Sequence, residues 1–186
     1  MSQPLQIDTP RTRITVLSAD DAALLRDYRE RNRNHLAPWE TTRGAEYYTL
    51  ESAAARIAQM QAETAAGSAL HLAALDRADG RVVALCNFTN IVRGPFQACH
   101  LGFSVDQALE GAGLMAEVAG ACINHVFDRL GLHRIMAAHM PRNERSAGLL
   151  ARLGFEREGY ARSYLHINGQ WEDMVLMSLI DERPGA

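Results

Sequence analysis

Apolar and polar residues alternate along RTRITVLS (residues 11–18), the period-two pattern of a half-buried strand. The period then changes. ADDAALLRDYRER (19–31) carries acids in its first turn and reads as a helix that Ser18 or Asp20 can cap. NRNHLAPWE (32–40) breaks that pattern at Pro38 and Trp39. A second helix is expected over LESAAARIAQMQAETAAG (50–67), capped by Thr49 and stopped by Gly67. ALHLAALD (69–76), RVVALCNFTN (81–90) and ACHLGFSVD (98–106) read as strands, separated by turns at RADG and RGPFQ. A long helix follows from about Leu114 to Arg129, with Leu114, Met115, Val118, Cys122, Ile123, Val126 and Leu130 on one face. HRIMAAHM (133–140) is a strand, and NERSAGLLARLGF (143–155) a short helix capped by Asn143 and ended by Gly154. YLHINGQWEDMVLMSLI (164–180) is a hairpin turning at Asn168-Gly169, the pair that best accommodates two residues of positive φ. The order β-α-α-β-β-β-α-β-α-β-β implies a mixed α/β sheet with about four flanking helices, in one domain spanning 1–186.

Composition narrows the function classes. A length of 186 residues suits one full core. A net charge of −3 lacks the basic surplus of a nucleic-acid binder, so no direct nucleic-acid role is expected. All 19 basic residues are Arg, so the chain has no lysine of its own to acylate. Cys86, Cys99 and Cys122 sit in apolar runs without metal-ligand spacing and are expected to be buried free thiols, with no metal site. The polar start MSQPLQIDTP carries no signal-peptide pattern, and no apolar run is long enough to span a bilayer. A cytoplasmic protein, monomer or homodimer, without membrane association is the expectation.

The chemistry concentrates in QALEGAGLMAEV (107–118). Gly111 and Gly113 let the backbone approach a ligand closely, and the helix starting at Leu114 presents unsatisfied N–H groups and the positive end of its dipole. Successive amides there form a nest for a diphosphate without a basic side chain. An isolated G-x-G is more often a plain turn, and Ala116 stands where a third dinucleotide-fingerprint glycine would be. Glu110 places a negative charge at the lip and is expected to point to solvent.

The downstream segment decides between these readings. MPRNERSAGLLARLGFEREGY supplies Asn143, Ser146, Leu149 and Gly154-Phe155 at fixed offsets after a strand. Together with RNRNHLAPWE and CNFTNIVRGPFQACHLGFSVDQALEGAGLMAE it resembles the GCN5-related N-acetyltransferases (GNAT), over roughly residues 11 to 180. Within them it is similar to the RimJ/RimL branch, which acetylates the N-terminal residue of ribosomal proteins, and most to the alanine-acetylating RimJ type.

The resemblance implies a GNAT acyl-CoA N-acyltransferase fold whose central strands splay apart, with the pantetheine arm of acetyl-CoA lying along the gap as an extra strand would. The exposed backbone would be that of Phe103, Ser104 and Val105. The diphosphate would lie on the amides of Gly111, Ala112, Gly113, Leu114 and Met115, beside Glu110 and Asn143. Ala108 and Glu110 depart from the family loop pattern, which has Gln or Arg at the first of these positions. Relatives often protonate the departing thiolate with a helix Tyr; Leu150 stands there, and the resemblance assigns the role to Ser146. Relatives often carry a base Glu where His100 stands, and His139 is the other candidate base. A free α-amine titrates near 7.7–8.0 and is about one-third neutral at pH 7.5, so it needs little help from a base; a lysine amine near 10.4 needs much more. The weak base set therefore suits an N-terminal acceptor.

Trp39, Asn87, Tyr164, Trp171 and Asp173 are candidates to line the acceptor pocket, with Asn90 and Glu172 as further polar groups. Arg29, Arg31 and Arg33 read as a solvated helix end. The implied activity is direct transfer of acetyl from acetyl-CoA to a protein N-terminal amine, with the N-terminus of a ribosomal protein as partner. Two alternatives stay open: a GNAT enzyme acting on a small amine (amino acid, polyamine or drug), and a non-catalytic acyl-CoA-binding regulatory or ribosome-assembly protein.

Overall fold

A computed structural model describes residues 5–183; the first four residues, on which the reading of the N-terminus partly rests, and the last three lie outside the described part. Eight strands form one sheet in the order β1-β2-β3-β4-β5-β6-β8-β7. They are β1 (Gln6–Asp8), β2 (Thr12–Thr15), β3 (Leu70–Asp76), β4 (Val82–Val92), β5 (Ala98–Val105), β6 (Arg134–His139), β7 (Glu156–Ile167) and β8 (Gln170–Ile180). Only β5 and β6 run parallel, joined by the helical crossover that a parallel pair requires. The helices are α1 (Ala22–Arg31), the single turn α2 (Arg33–Leu36), α3 (Leu50–Ala65), α4 (Leu114–His125) and α5 (Glu144–Arg152).

The two sheet faces bury different helices. On one, Val118, Cys122 and Ile123 of α4 and Leu149 and Leu150 of α5 pack on Phe88, Cys99, Leu101 and Ile135. On the other, Leu25 and Tyr28 of α1 and Ala53 and Ile57 of α3 pack on Ala73 and Leu75. Strand alternation sends successive β5 side chains to opposite layers, so the strand crossing the middle of the sheet serves both.

The expected elements are present, with three differences besides the helical turn α2 inside the segment expected only to break the first helix's pattern. The long helix stays α-helical to His125, and Val126–Leu130 widens into a π-turn that ends on Gly131 in the left-handed region. A short β1 extends the sheet beyond the strand expected from residue 11. Strand β7 starts at Glu156 rather than Tyr164, with register shifts between Arg157 and Gly159 and between Ala161 and Leu165. The turn at Asn168-Gly169 has φ of 45° and 78°, as a type I′ hairpin needs. Thr49 caps α3 by accepting from Ser52 N at 3.1 Å. The three cysteines are free and buried, and burial pushes the Cys99 thiol up to about 12, far from a reactive thiolate.

Candidate active site

The sheet opens where β5 and β6 part. They pair only at Ala98–Arg134, Cys99–Ile135 and His100–Met136. Beyond His100, β5 remains paired to β4 as far as Val105, while β6 follows β8 to His139. The edge of β5 facing β6 is thus left with unpaired backbone groups between Leu101 and Val105, available to an extended ligand.

The glycine loop lies at the end of this gap. Gly111 and Gly113 have φ of 73° and 74°, and a Cβ on either would meet open space. The glycines are therefore needed for backbone conformation and not for room within the protein. The first helical bond of α4 runs from Glu117 N to Gly113 O at 3.2 Å. The amides of Leu114, Met115 and Ala116 have no partner among the described residues, which leaves them for an anion. Arg11, in the β1–β2 turn, fixes the loop from behind: its backbone N and Nε donate to Glu117 at 3.0 and 2.7 Å, and Nη1 donates to Ala112 O at 2.9 Å. At the start of the loop, Asp106 accepts from Ala108 N at 3.1 Å and from Arg31 Nη2 at 3.0 Å.

Gap and loop together form a cleft of about 540 Å³. It is lined by Phe103, Ser104, Val105, Glu110, Gly111, Gly113, Leu114, Met115, Asn143 and Ser146, so ten of the eleven residues expected at the cofactor meet there. Ala112 does not line it, and its carbonyl is turned to Arg11. Glu110 does not point to solvent as expected. Its side chain is 23% exposed, with Arg145 Nη1 of α5 at 2.5 Å and His35 Nε2 at 3.1 Å. The charge at the lip is thereby countered, and Arg145 and Arg152 bring cationic side chains to a cleft whose loop sequence contains none. Neither arginine was anticipated, because α5 reaches the loop only through the fold. Truncating Arg145→Ala is expected to weaken CoA binding about tenfold by leaving Glu110 to repel the phosphates, while Glu110→Gln leaves the affinity equal or higher. Calorimetric titration of both variants with CoA checks the pair.

Asn143 spends its side chain on the cap of α5, accepting from Ser146 N at 3.1 Å. Ser146 faces the cleft, and its hydroxyl bonds nothing else among the described residues. Leu150, one turn on, is fully buried. The two histidines lie on opposite sheet faces, since His139 shares the register of Ile135 and Ala137 while His100 alternates with Cys99 and Leu101. His139 Nδ1 donates to Met140 O at 2.9 Å, which leaves Nε2 as its basic nitrogen. His100 occupies the fork of the splay; its Nδ1 is buried without a partner among the described residues, and burial lowers its pKa, which favours the neutral ring. Neither ring lines the cleft.

A second cavity of about 420 Å³ lies on the α1–α3 face and includes Arg29, Glu40, Arg43, Tyr47, Arg56, Asn87 and Gly102. It shares Trp39, Phe103 and Ser104 with the first, so the two meet through the split in the sheet. Of the five residues expected at the acceptor, Trp39 and Asn87 come here. Asn87 is oriented by His71, whose Nδ1 lies 2.8 Å from Asn87 Oδ1 and whose Nε2 lies 2.6 Å from Glu63. Tyr164 and Trp171 stand exposed on the β7–β8 hairpin and line neither cavity, although their neighbours Leu165, His166 and Ile167 line the second. Asp173 accepts from Tyr160 Oη at 2.6 Å and Ser163 N at 2.8 Å within that hairpin. Glu172 is held by Arg142 at 2.6 Å, and Asn90 sits at positive φ in the strand irregularity of β4.

The carboxylate that does line the second cavity is Glu40, which burial shifts up in pKa while Arg43 and Arg29 pull it down. It directly follows Trp39, yet nothing in a break after a helix marks it in sequence. One of the supposed solvated arginines is also placed differently. Arg29 is buried against Tyr47, whereas Arg31, which ties Val82 O and Asp106, and Arg33, stacked on Tyr48, stay at the surface as expected.

Residues 11–156 match the acetyltransferase (GNAT) domain model. The chain is 41% identical over 183 residues, 97% of its length and 94% of the relative's, to the [ribosomal protein uS5]-alanine N-acetyltransferase of Escherichia coli. Among solved structures, the ribosomal-protein-S5-alanine acetyltransferase of Vibrio fischeri superposes with a TM-score of 0.91 at 37% identity, covering 96% of this chain and 97% of that one. Mycobacterium smegmatis RimJ, in complex with CoA-disulfide, superposes with a TM-score of 0.90 at 26% identity, covering 98% and 90%.

Proposed function

The chain belongs to the GNAT acetyltransferases, and from that premise we propose that it transfers acetyl from acetyl-CoA to the N-terminal alanine amine of a ribosomal protein, as one domain over residues 1–186 and in the cytoplasm. The observation that carries this reading is the junction of two cavities at Phe103, Ser104 and Trp39: one ends on free helix-start amides suited to a diphosphate, the other on a carboxylate suited to an ammonium. No helix of the described residues is long and apolar enough to cross a membrane, and no group of three or more His, Cys, Asp or Glu converges there on a metal-sized site.

The reading gives each group one task. Unpaired β5 backbone aligns the pantetheine, and the amides of Gly111, Gly113, Leu114 and Met115 hold the diphosphate. Glu40 holds the incoming ammonium beside Trp39 and Asn87. Once neutral, the amine nitrogen forms a bond to the acetyl carbon, and a backbone N–H near Phe103 stabilises the oxyanion. The C–S bond breaks, and the departing sulfur takes a hydrogen bond or proton from Ser146. The proton lost by the amine passes to solvent or to Glu40, with His100, at the fork, and His139 as the remaining candidate bases. The transfer needs neither an enzyme-bound acyl intermediate nor a metal.

The pH profile tests the acceptor. With a peptide beginning in Ala, kcat/KM is expected to rise about tenfold per unit between pH 6 and 7 and to flatten above about 8, where the α-amine is neutral. A lysine side chain as true acceptor would keep the rate rising towards pH 10. A rise that continues past pH 9 with the alanine peptide, or turnover confined to small amines, overturns the reading.

A further inference from the structure

The charge inside the acceptor cavity is unbalanced. Its formally charged lining residues are Arg29, Arg43, Arg56 and a single carboxylate, Glu40. Arg29 is the residue that makes this imbalance costly. It is only 7% exposed, and its one recorded hydrogen bond runs from Nη1 to Tyr47 O at 3.1 Å. No carboxylate lies within ion-pair distance of it among the described residues, although a guanidinium carries five N–H donors. Its plane stacks on the Tyr47 ring at 4.0 Å, and Arg43 stacks on the same ring at 4.6 Å, likewise without an ion pair. Arg56 is 3.6 Å from Glu63, a carboxylate already engaged by His71 at 2.6 Å.

A buried cation such as Arg29 destabilises a folded chain unless an anion completes it; Arg43 is exposed and Arg56 half-buried, and the shared Tyr47 ring holds the Arg29 and Arg43 guanidinium groups side by side at the cavity wall. Glu40 is one counter-charge against three cations, and in the reading above it is committed to the substrate ammonium. We propose that Arg29 and Arg43, supported by Arg56, select an acidic side chain within the first few residues after the acetylated amine. The preferred acceptor is then a peptide with an N-terminal ammonium at one end of the cavity and a carboxylate at the other. This inference rests on the acetyltransferase reading and names its acceptor class.

The test uses C-terminally amidated peptides of about six residues that begin in Ala and carry a single Glu, Gln or Lys at position two, three or four. At saturating acetyl-CoA and low salt, the best-placed Glu peptide is expected to exceed its Gln counterpart in kcat/KM by about tenfold or more, the size of a charge-assisted bidentate contact, with Lys below both. The advantage shrinks at high salt. In Arg29→Gln and Arg43→Gln the Glu/Gln ratio falls towards one; because the ratio is taken within each variant, a general loss of activity does not disguise it. A wild-type ratio of one or less at every position, or a ratio that survives in both variants, overturns the proposal and leaves the acetyltransferase reading intact. A free acidic amino acid outrunning every peptide also overturns it, since the anion would then be the α-carboxylate. Absence of turnover on all acceptors removes the acetyltransferase reading instead. Calorimetry of the same peptides on CoA-loaded protein then reads the arginines directly, and equal affinity for Glu and Gln peptides overturns the proposal.

Discussion

Gly113→Val should raise the KM for acetyl-CoA on the order of a hundredfold and leave the melting temperature within a few degrees of the parent. Gly113 has φ of 74° and serves as the N-cap of α4 without a side-chain cap. A branched residue in that region is strained by about 1–2 kcal/mol. The space around its Cβ is open, so nothing in the protein opposes the new side chain; the strain is relieved by rotating the loop. That rotation redirects the amides of Leu114 and Met115, and two lost hydrogen bonds to a charged diphosphate, at about 1.5–3 kcal/mol each, account for a factor of a hundred or more. Gly94→Val is the matched control: φ there is 72° and the Cβ space is also open, but the residue turns between β4 and β5 away from the cleft. It pays the same conformational penalty with no amide aimed at the cofactor. If both variants bind acetyl-CoA alike, the loop is only a turn.

That loop was the most legible part of the sequence, because its function resides in backbone conformation. Glycines at two positions before an apolar helix announce positive φ and free amides whatever the neighbouring side chains are. Most strands and helices were legible for a related reason: one side of each is buried, so its period is written in apolar residues. Strand β7 was partly missed since it lies at the sheet edge. From Glu156 to Leu165 it is exposed or half-exposed throughout, and charged residues and register shifts occupy the place of apolar alternation.

The acceptor side was much less legible. Arg29 and Arg43 lie outside any motif, Glu40 ends the RNRNHLAPWE segment without a role marked for it there, and the three meet only because α1, the segment after it and α3 fold onto one sheet face. Arg29 belonged to a charged run that reads as a solvated helix end; Glu30, Arg31 and Arg33 are indeed exposed, and Tyr47 supplies the surface that buries Arg29 alone among them. Tyr164, Trp171 and Asp173 illustrate the converse. Their residue types suit a pocket, but the hairpin that bears them holds Asp173 on Tyr160 and leaves Trp171 65% exposed against His166.

The second large effect is expected at Ser146. Its hydroxyl faces the cofactor cleft from the first turn of α5, while its amide is taken by the Asn143 cap and so cannot also serve the thioester. Leu150, fully buried, supplies no donor from the next turn. A thiol with pKa near 8.5 leaves almost as a stable anion at neutral pH, so a hydrogen bond suffices and full proton transfer is not required. The expected effect therefore lies at the low end of general-acid catalysis: Ser146→Ala lowers kcat about a hundredfold with the KM for acetyl-CoA nearly unchanged, and Ser146→Thr retains part of the rate. Asn143→Ala separates chemistry from scaffolding. It removes the cap, costs about 1 kcal/mol of stability and loosens the serine while keeping the hydroxyl, so it should lower the melting temperature more than Ser146→Ala and kcat less. A Ser146→Ala enzyme within about threefold of the parent kcat would mean that the sulfur departs without this hydroxyl, and the Arg145 guanidinium on the same helix would be the next donor to remove.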